Sequence, residues 1–255
     1  MLGAKRPRPD SGFLWDGIVN GPVHSRRLGV SLGLNLTPAR SKLCTFDCPY
    51  CECGFNTAKD PDGRWPSPDE VAHSLRRALG RLSGPPDCIT FAGNGEPTMH
   101  PRFPVVVERV LEARAELAPG TKVGALTNGL AAGKRAVRDA LRRLDLRMVK
   151  LDPGPPGRVN GVQFDQLKLV ADARTLAPLI IQAMVTKGKD WDGSSDAALA
   201  AWLPLLAAAE PETVHLYSLD RAPADRSLQN VPRERLEAMA AAIRRTLPRV
   251  IVEVF

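Results

Sequence analysis

Cys88-Ile89-Thr90-Phe91-Ala92-Gly93-Asn94-Gly95-Glu96 is a short apolar run that ends in a glycine-rich turn. An amphipathic segment follows at Phe103–Leu117, and then a second apolar run, Lys122-Val123-Gly124-Ala125-Leu126-Thr127. Two strands separated by a helix form a βαβ unit, because a parallel return needs a crossover. The same alternation extends in both directions. Strands are expected at Leu28–Leu36, Arg147–Leu151, Leu179–Val185, Thr213–Leu219 and Arg249–Phe255. Helices are expected at Asp69–Leu82, Ala132–Leu144, Phe164–Leu176, Ser195–Ala209 and Pro232–Leu247. Six strand–helix repeats and a short last strand predict an α/β protein. Its architecture would be a partial (β/α)6 TIM-like barrel or a strongly curved open sheet.

The 255 residues suit one barrel-type domain, and no repeat or interdomain linker is visible. A single domain is therefore expected over 15–255, behind a basic, flexible tail at 1–14. Met1–Asp10 is Lys/Arg/Pro-rich with no apolar core behind it, so it does not read as a secretory signal. No window approaches the roughly 18 uninterrupted apolar residues of a membrane helix. Of the five cysteines, three crowd into eight residues, which argues for metal in a reducing compartment over a disulfide framework. The expected location is the cytoplasm. The net charge of +7 can steer nucleic acid or an acidic protein towards the surface. Arginines spaced along helices, such as Arg76, Arg77 and Arg81, fit solvated faces equally well.

Parallel βα architectures collect their ligand sites at the C-terminal ends of strands. The informative loops fall there. A cysteine motif follows the first strand, Gly93–Glu96 the second, and Thr127-Asn128-Gly129 ends the third. Lys150 and Asp152 end the fourth, where the Pro/Gly stretch Asp152–Gly157 reads as an active-site loop. Met184 and Lys187 end the fifth, and Tyr217 with Asp220-Arg221 the sixth.

The cysteine motif is Cys44-Thr45-Phe46-Asp47-Cys48-Pro49-Tyr50-Cys51. Its spacing offers three thiolates where a cubane iron–sulfur cluster ordinarily takes four, leaving one iron open to another ligand. A zinc site and a ferredoxin-type cluster completed by Cys53 are the rival readings. Zinc would want a second ligand pair at a distance, and none is obvious. In Gly93-Asn94-Gly95-Glu96 the glycines permit close approach of backbone to a ligand, and the carboxylate can accept hydrogen bonds from an ammonium group. Alone, this segment is only a turn.

Together the two motifs resemble the radical S-adenosylmethionine (SAM) superfamily, including the aromatic residue, Tyr50, before the third cysteine. Gly93–Glu96 is similar to its Gly-Gly-Glu element, with Asn94 in place of the second glycine. Gly21–Asn35, Val149-Lys150-Leu151-Asp152 and Leu216–Pro223 look like segments of the wyosine-synthase-related group. That resemblance covers roughly residues 20 to 250. It implies a partial barrel of the radical SAM type and a [4Fe–4S] cluster held by Cys44, Cys48 and Cys51. It further implies SAM held by Gly93, Asn94, Gly95 and Glu96 at its amino acid end, near Tyr50 at the adenine, with Asn128 or Asp152 at the ribose. An external one-electron donor of flavodoxin or ferredoxin type would drive reductive SAM cleavage. The substrate would be a nucleoside in tRNA or a small metabolite.

Two other functions remain open on the sequence: a peptide or protein maturase, including a glycyl-radical activase, and a non-enzymatic iron–sulfur electron carrier. No flavodoxin-like or cobalamin-binding domain is seen, and no second cysteine cluster follows residue 88. Among single residues, Lys150 would bind substrate or the SAM carboxylate, or form a structural ion pair. Arg26 and Arg27 are candidate substrate anchors. Gln182 and Met184 are placed to face the barrel interior, although methionine often serves as plain core. Cys53 would be a hydrogen-atom donor or a bystander, and Cys88 a small core residue.

Overall fold

The computed structural model describes residues 14–56 and 63–255. The expected tail at 1–14 lies almost wholly outside them. Eight strands form one sheet in the order β1 to β8: β1 (Val19–Ser25), β2 (Gly29–Leu34), β3 (Cys88–Phe91), β4 (Lys122–Thr127), β5 (Leu146–Lys150), β6 (Ile180–Met184), β7 (Thr213–Tyr217) and β8 (Ile251–Val254). From β2 to β8 each neighbour runs parallel, and the sheet curls as a partial barrel. Helices cross between strands: α1 (Pro68–Leu79), α2 (Phe103–Leu117), α3 (Arg135–Arg142), α4 (Pro156–Val159), α5 (Gln166–Arg174), α6 (Asp196–Ala209) and α7 (Arg233–Thr246).

Local chemistry explains the boundaries. Ser67 caps α1 with a capping box: its hydroxyl accepts from Glu70 N at 3.2 Å, and the Glu70 carboxylate accepts from Ser67 N at 2.8 Å. Such caps stabilise a helix by about 1 kcal/mol. Asp165 and Ser195 cap α5 and α6 with the side chain alone, accepting from Lys168 N and Ala198 N. The buried face of α2, with Phe103, Val106 and Val110, packs on the outer face of the sheet, where the Phe91 and Phe103 rings meet edge to face at 5.7 Å.

Two features depart from the sequence reading. β1 is an eighth, antiparallel strand paired with β2, hidden in the sequence by Gly21-Pro22 and by a register shift between Asn20 and Val23. The stretch after β5 is not loop throughout, because Pro156 starts the one-turn helix α4.

Register sorts the side chains into two faces. Ser31, Thr90, Gly124, Met148, Gln182 and His215 share one face, by the ladder register combined with the two-residue period of each strand. This is the barrel interior. Leu32, Ile89, Val123, Ile181 and Val214 alternate with them, lie buried, and point towards the helices.

Candidate functional site

The cysteine loop lies across the C-terminal end of the barrel and is fixed from several directions. An isolated parallel bridge joins Leu43 to Gly95; Leu43 N donates to Asn94 O at 3.1 Å, and Glu96 N to Leu43 O at 3.0 Å. A Cβ on Gly95 would lie 1.7 Å from the Leu43 carbonyl oxygen, and one on Gly93 would lie 2.6 Å from Asn35 Cα. The glycines therefore serve first to let this loop dock on protein backbone. The Asn56 side chain staples the loop from inside, accepting from Cys44 N at 3.0 Å and donating to the carbonyls of Cys44 and Phe46. Lys42 is buried beneath it, its ammonium donating to Gly54 O at 2.8 Å and to Asp47 at 3.2 Å. Burial lowers the Lys42 pKa, but Cys51 and Asp47 outweigh that effect and hold it above the usual lysine value.

All five cysteines are free thiols. Burial pushes the Cys44 thiol up to about 12, with Glu96 adding to the effect. Burial pushes Cys48 up to about 11, helped by Asp152. Cys51 moves the other way, because the Cys53 thiol donates to it. Cys53 also donates to Gly93 O at 3.6 Å, so its sulfur faces the glycine loop. Phe46 N donates to Cys44 Sγ at 3.4 Å, Asn128 Nδ2 to the same sulfur at 3.8 Å, and Asn160 Nδ2 to Cys48 Sγ at 3.8 Å.

Glu96 is buried and accepts from Thr98 N, the Thr98 and Thr127 hydroxyls (both 2.6 Å) and Asn128 N at 2.7 Å. Burial raises its pKa despite these donors. Asn128 continues the chain, donating to Thr45 Oγ1 at 2.6 Å. Asn94 is turned away: its amide accepts from Trp15 N and donates to the carbonyls of Trp15 and Ala39. Asp152 Oδ1 accepts from Lys150 Nζ at 2.8 Å and Met184 N at 2.7 Å, while Oδ2 accepts from the Tyr50 hydroxyl and from Asn160 Nδ2 at 2.8 Å. Burial opposes the Lys150 charge, but Asp152 and Tyr217 overcome it and hold the ammonium. The loop after β7 straps the site, with Asp225 N donating to Pro49 O at 2.8 Å and Arg221 pairing with Glu52 at 2.8 Å.

The structure thus brings Cys44, Cys48, Cys51, Glu96 and Asn128 to one end of the barrel, with Tyr50 and Asp152 beside them. Three residues there escaped the sequence reading: Lys42, Asn56 and Asn160. Asn160 caps the C-terminal end of α4, three residues beyond the Pro/Gly stretch that was read as an active-site loop. Soft thiolates select iron–sulfur clusters over hard cations, and N–H groups aimed at the sulfurs suit such ligation. The donor set fits an iron–sulfur cluster on this chemistry. Among the described residues no three His, Cys, Asp or Glu side chains converge on the position of a single ion.

Residues 40–153 match the model of the radical SAM superfamily. A UPF0026 protein of Synechocystis is 30% identical over 208 residues, covering 78% of this chain and 74% of its own. A UPF0026 protein of Helicobacter pylori is 33% identical over 135 residues, covering 53% of this chain but only 42% of the relative. Among solved structures, Streptococcus suis SuiB bound to S-adenosylmethionine aligns with a TM-score of 0.62 at 15% identity, covering 88% of this chain and 50% of SuiB. At that identity the likeness is one of fold. No helix among the described residues is long and apolar enough to cross a membrane.

Proposed function

The chain belongs to the radical SAM superfamily and to the UPF0026 family, and on that premise we propose that Cys44, Cys48 and Cys51 hold a [4Fe–4S] cluster at which SAM is cleaved. The observation that supports this most is the convergence of those cysteines with Glu96 and Asn128 at the C-terminal end of a parallel partial barrel. When bound, the cluster and SAM supply a one-electron cleavage of the sulfonium to methionine and a 5′-deoxyadenosyl radical that takes hydrogen from a C–H bond.

The protein's own residues bind, orient and exclude water. The backbone of Gly93 to Glu96 receives the amino acid end of SAM, and the Glu96 carboxylate faces its ammonium. Asn94 acts by fixing this loop, since its side chain is taken up by Trp15 and Ala39. The backbone around Tyr50 meets the adenine. Asn128, whose amide donates to Cys44 Sγ, would hold the ribose. With four donors on its two oxygens, Asp152 would reach the ribose only by releasing one of them, so we assign it to orienting Tyr50. A flavodoxin- or ferredoxin-type donor supplies the electron in the cytoplasm, and the substrate is a nucleoside, free or in tRNA, or a related small metabolite.

The reconstituted protein with dithionite and SAM should release 5′-deoxyadenosine, and Cys48→Ala should abolish that release. Undiminished release by Cys48→Ala would falsify the reading.

A further inference from the structure

Arg27 stands apart from the other cations of the barrel. It lies in the turn between β1 and β2, with its guanidinium carbon 4.3 Å over the Tyr217 ring. Its Nη1 donates to Gln182 Oε1. Both partners are neutral. Its neighbour Arg26 pairs with Asp220 at 3.1 Å, and Lys150 pairs with Asp152, but no carboxylate is recorded against Arg27 among the described residues.

The neutral hold on Arg27 has a definite direction. Because Gln182 Oε1 accepts from Arg27, its Nε2 donates to His215 Nδ1, at 2.6 Å. His215 then carries its proton on Nε2 and donates to Glu253 at 2.9 Å. Burial, and then Arg27 itself, lower the His215 pKa to about 4, so the ring is neutral near pH 7. The relay orients the guanidinium without cancelling its charge. Half-buried and held by neutral partners, the guanidinium keeps its charge for an anionic ligand.

Space is available beside it. A cavity of about 650 Å³ opens at the N-terminal ends of the strands, lined by Arg27, His215, Lys122 and Thr213. Asp87 and Glu253 also line it, but Asp87 accepts from Val30 N at 2.7 Å and Glu253 from His215. The volume falls in the usual range for small-molecule sites. Tyr217 links this cavity to the cysteine end: its ring carries Arg27, and its hydroxyl lies 3.1 Å from Lys150 Nζ, whose partner Asp152 holds Tyr50.

We propose that Arg27 anchors an anionic group, a carboxylate or a phosphate, on a substrate of single-nucleotide size. This rests on the radical SAM reading of the same barrel. Guanidinium is suited to either anion, because its fork of donors meets two oxygens at once.

The full-length reconstituted protein should be titrated calorimetrically with uridine 5′-monophosphate and with succinate, with uridine as the neutral control. One or both anions should bind, and uridine about tenfold more weakly or not at all. Arg27→Gln should lose about tenfold in anion affinity, with Arg27→Lys in between, while the exposed Arg77→Gln leaves binding unchanged. Thermal melting of each variant separates lost binding from lost folding. Anion binding equal in wild type and in folded Arg27→Gln would overturn the anchor, as would no anion binding to the wild type. The same preparations assayed for 5′-deoxyadenosine keep the two ideas distinguishable: Arg27-dependent binding without SAM cleavage upholds the anchor and overturns the radical reading.

Discussion

The barrel interior has two unlike walls. On β2 to β4 the middle inward positions are small or hydroxylic: Ser31, Gly33, Thr90 and Gly124, with a Ser31–Thr90 hydroxyl contact at 3.0 Å, flanked on β4 by Lys122 and Leu126. On β5 to β8 apolar Leu146, Met148 and Ile180 are accompanied by long polar residues, Lys150, Gln182, His215, Tyr217 and Glu253; these form two hydrogen-bonded sets, one through Asp152 and one through Arg27, which meet where Arg27 lies over the Tyr217 ring. The first wall lies under Gly93–Glu96, the loop proposed for the amino acid end of SAM, and leaves space. The second carries the interior's charge and is the side on which substrate chemistry would be read. Strands of one sheet thus divide open space from polar side chains.

The largest test of that contrast is Asp152→Asn. It leaves the Lys150 ammonium largely buried without its carboxylate and should destabilise the chain by about 3 kcal/mol in urea unfolding. A loss no greater than that of a small-wall variant would erase the distinction.

A pH series sharpens it next. The folded His215 pKa, near 4, lies below the ordinary unfolded value of 6.5. The unfolded chain therefore binds the proton more readily, and stability from this site is full above about pH 6.5 and drains away as pH falls towards 4. His215→Gln should remove about 2 kcal/mol of the stability difference between pH 7 and pH 4.5, read as thermal midpoints of variant and wild type. Identical pH profiles would show that the ring does not titrate as placed.

The smallest effect belongs to the small wall. Thr90→Val removes the hydroxyl that meets Ser31 and Cys88, which should lower stability by about 1 kcal/mol with no change in pH dependence.

The legible parts of the fold were those with strong periodicity. α2 lies at Phe103–Leu117 and β4 at Lys122–Thr127, as their patterns required, because a buried strand and a two-sided helix leave their burial in the sequence. β1 was not legible: its Gly-Pro interruption and register shift erase the alternation that marks a strand. Among the candidate site residues, Cys44, Cys48 and Cys51 could be named from spacing and Glu96 from the resemblance of its glycine loop to a Gly-Gly-Glu element. Lys42 and Asn56 could not, since a buried lysine and a stapling asparagine carry no local pattern and act only once the loop has closed. Asn94 shows the converse. Its place in the motif is plain, yet its amide binds residues 79 and 55 positions away, Trp15 and Ala39.

The sequence by itself determined the order of strands and helices and the thiol chemistry of one loop, because periodicity and residue type are local properties. Only the tertiary structure decided which inward positions share the interior, that Asp152 is saturated, and that Arg27 faces neutral partners. Those facts depend on the register between strands distant in the chain, and in a pleated sheet a shift of one residue would turn every one of these side chains to the other face.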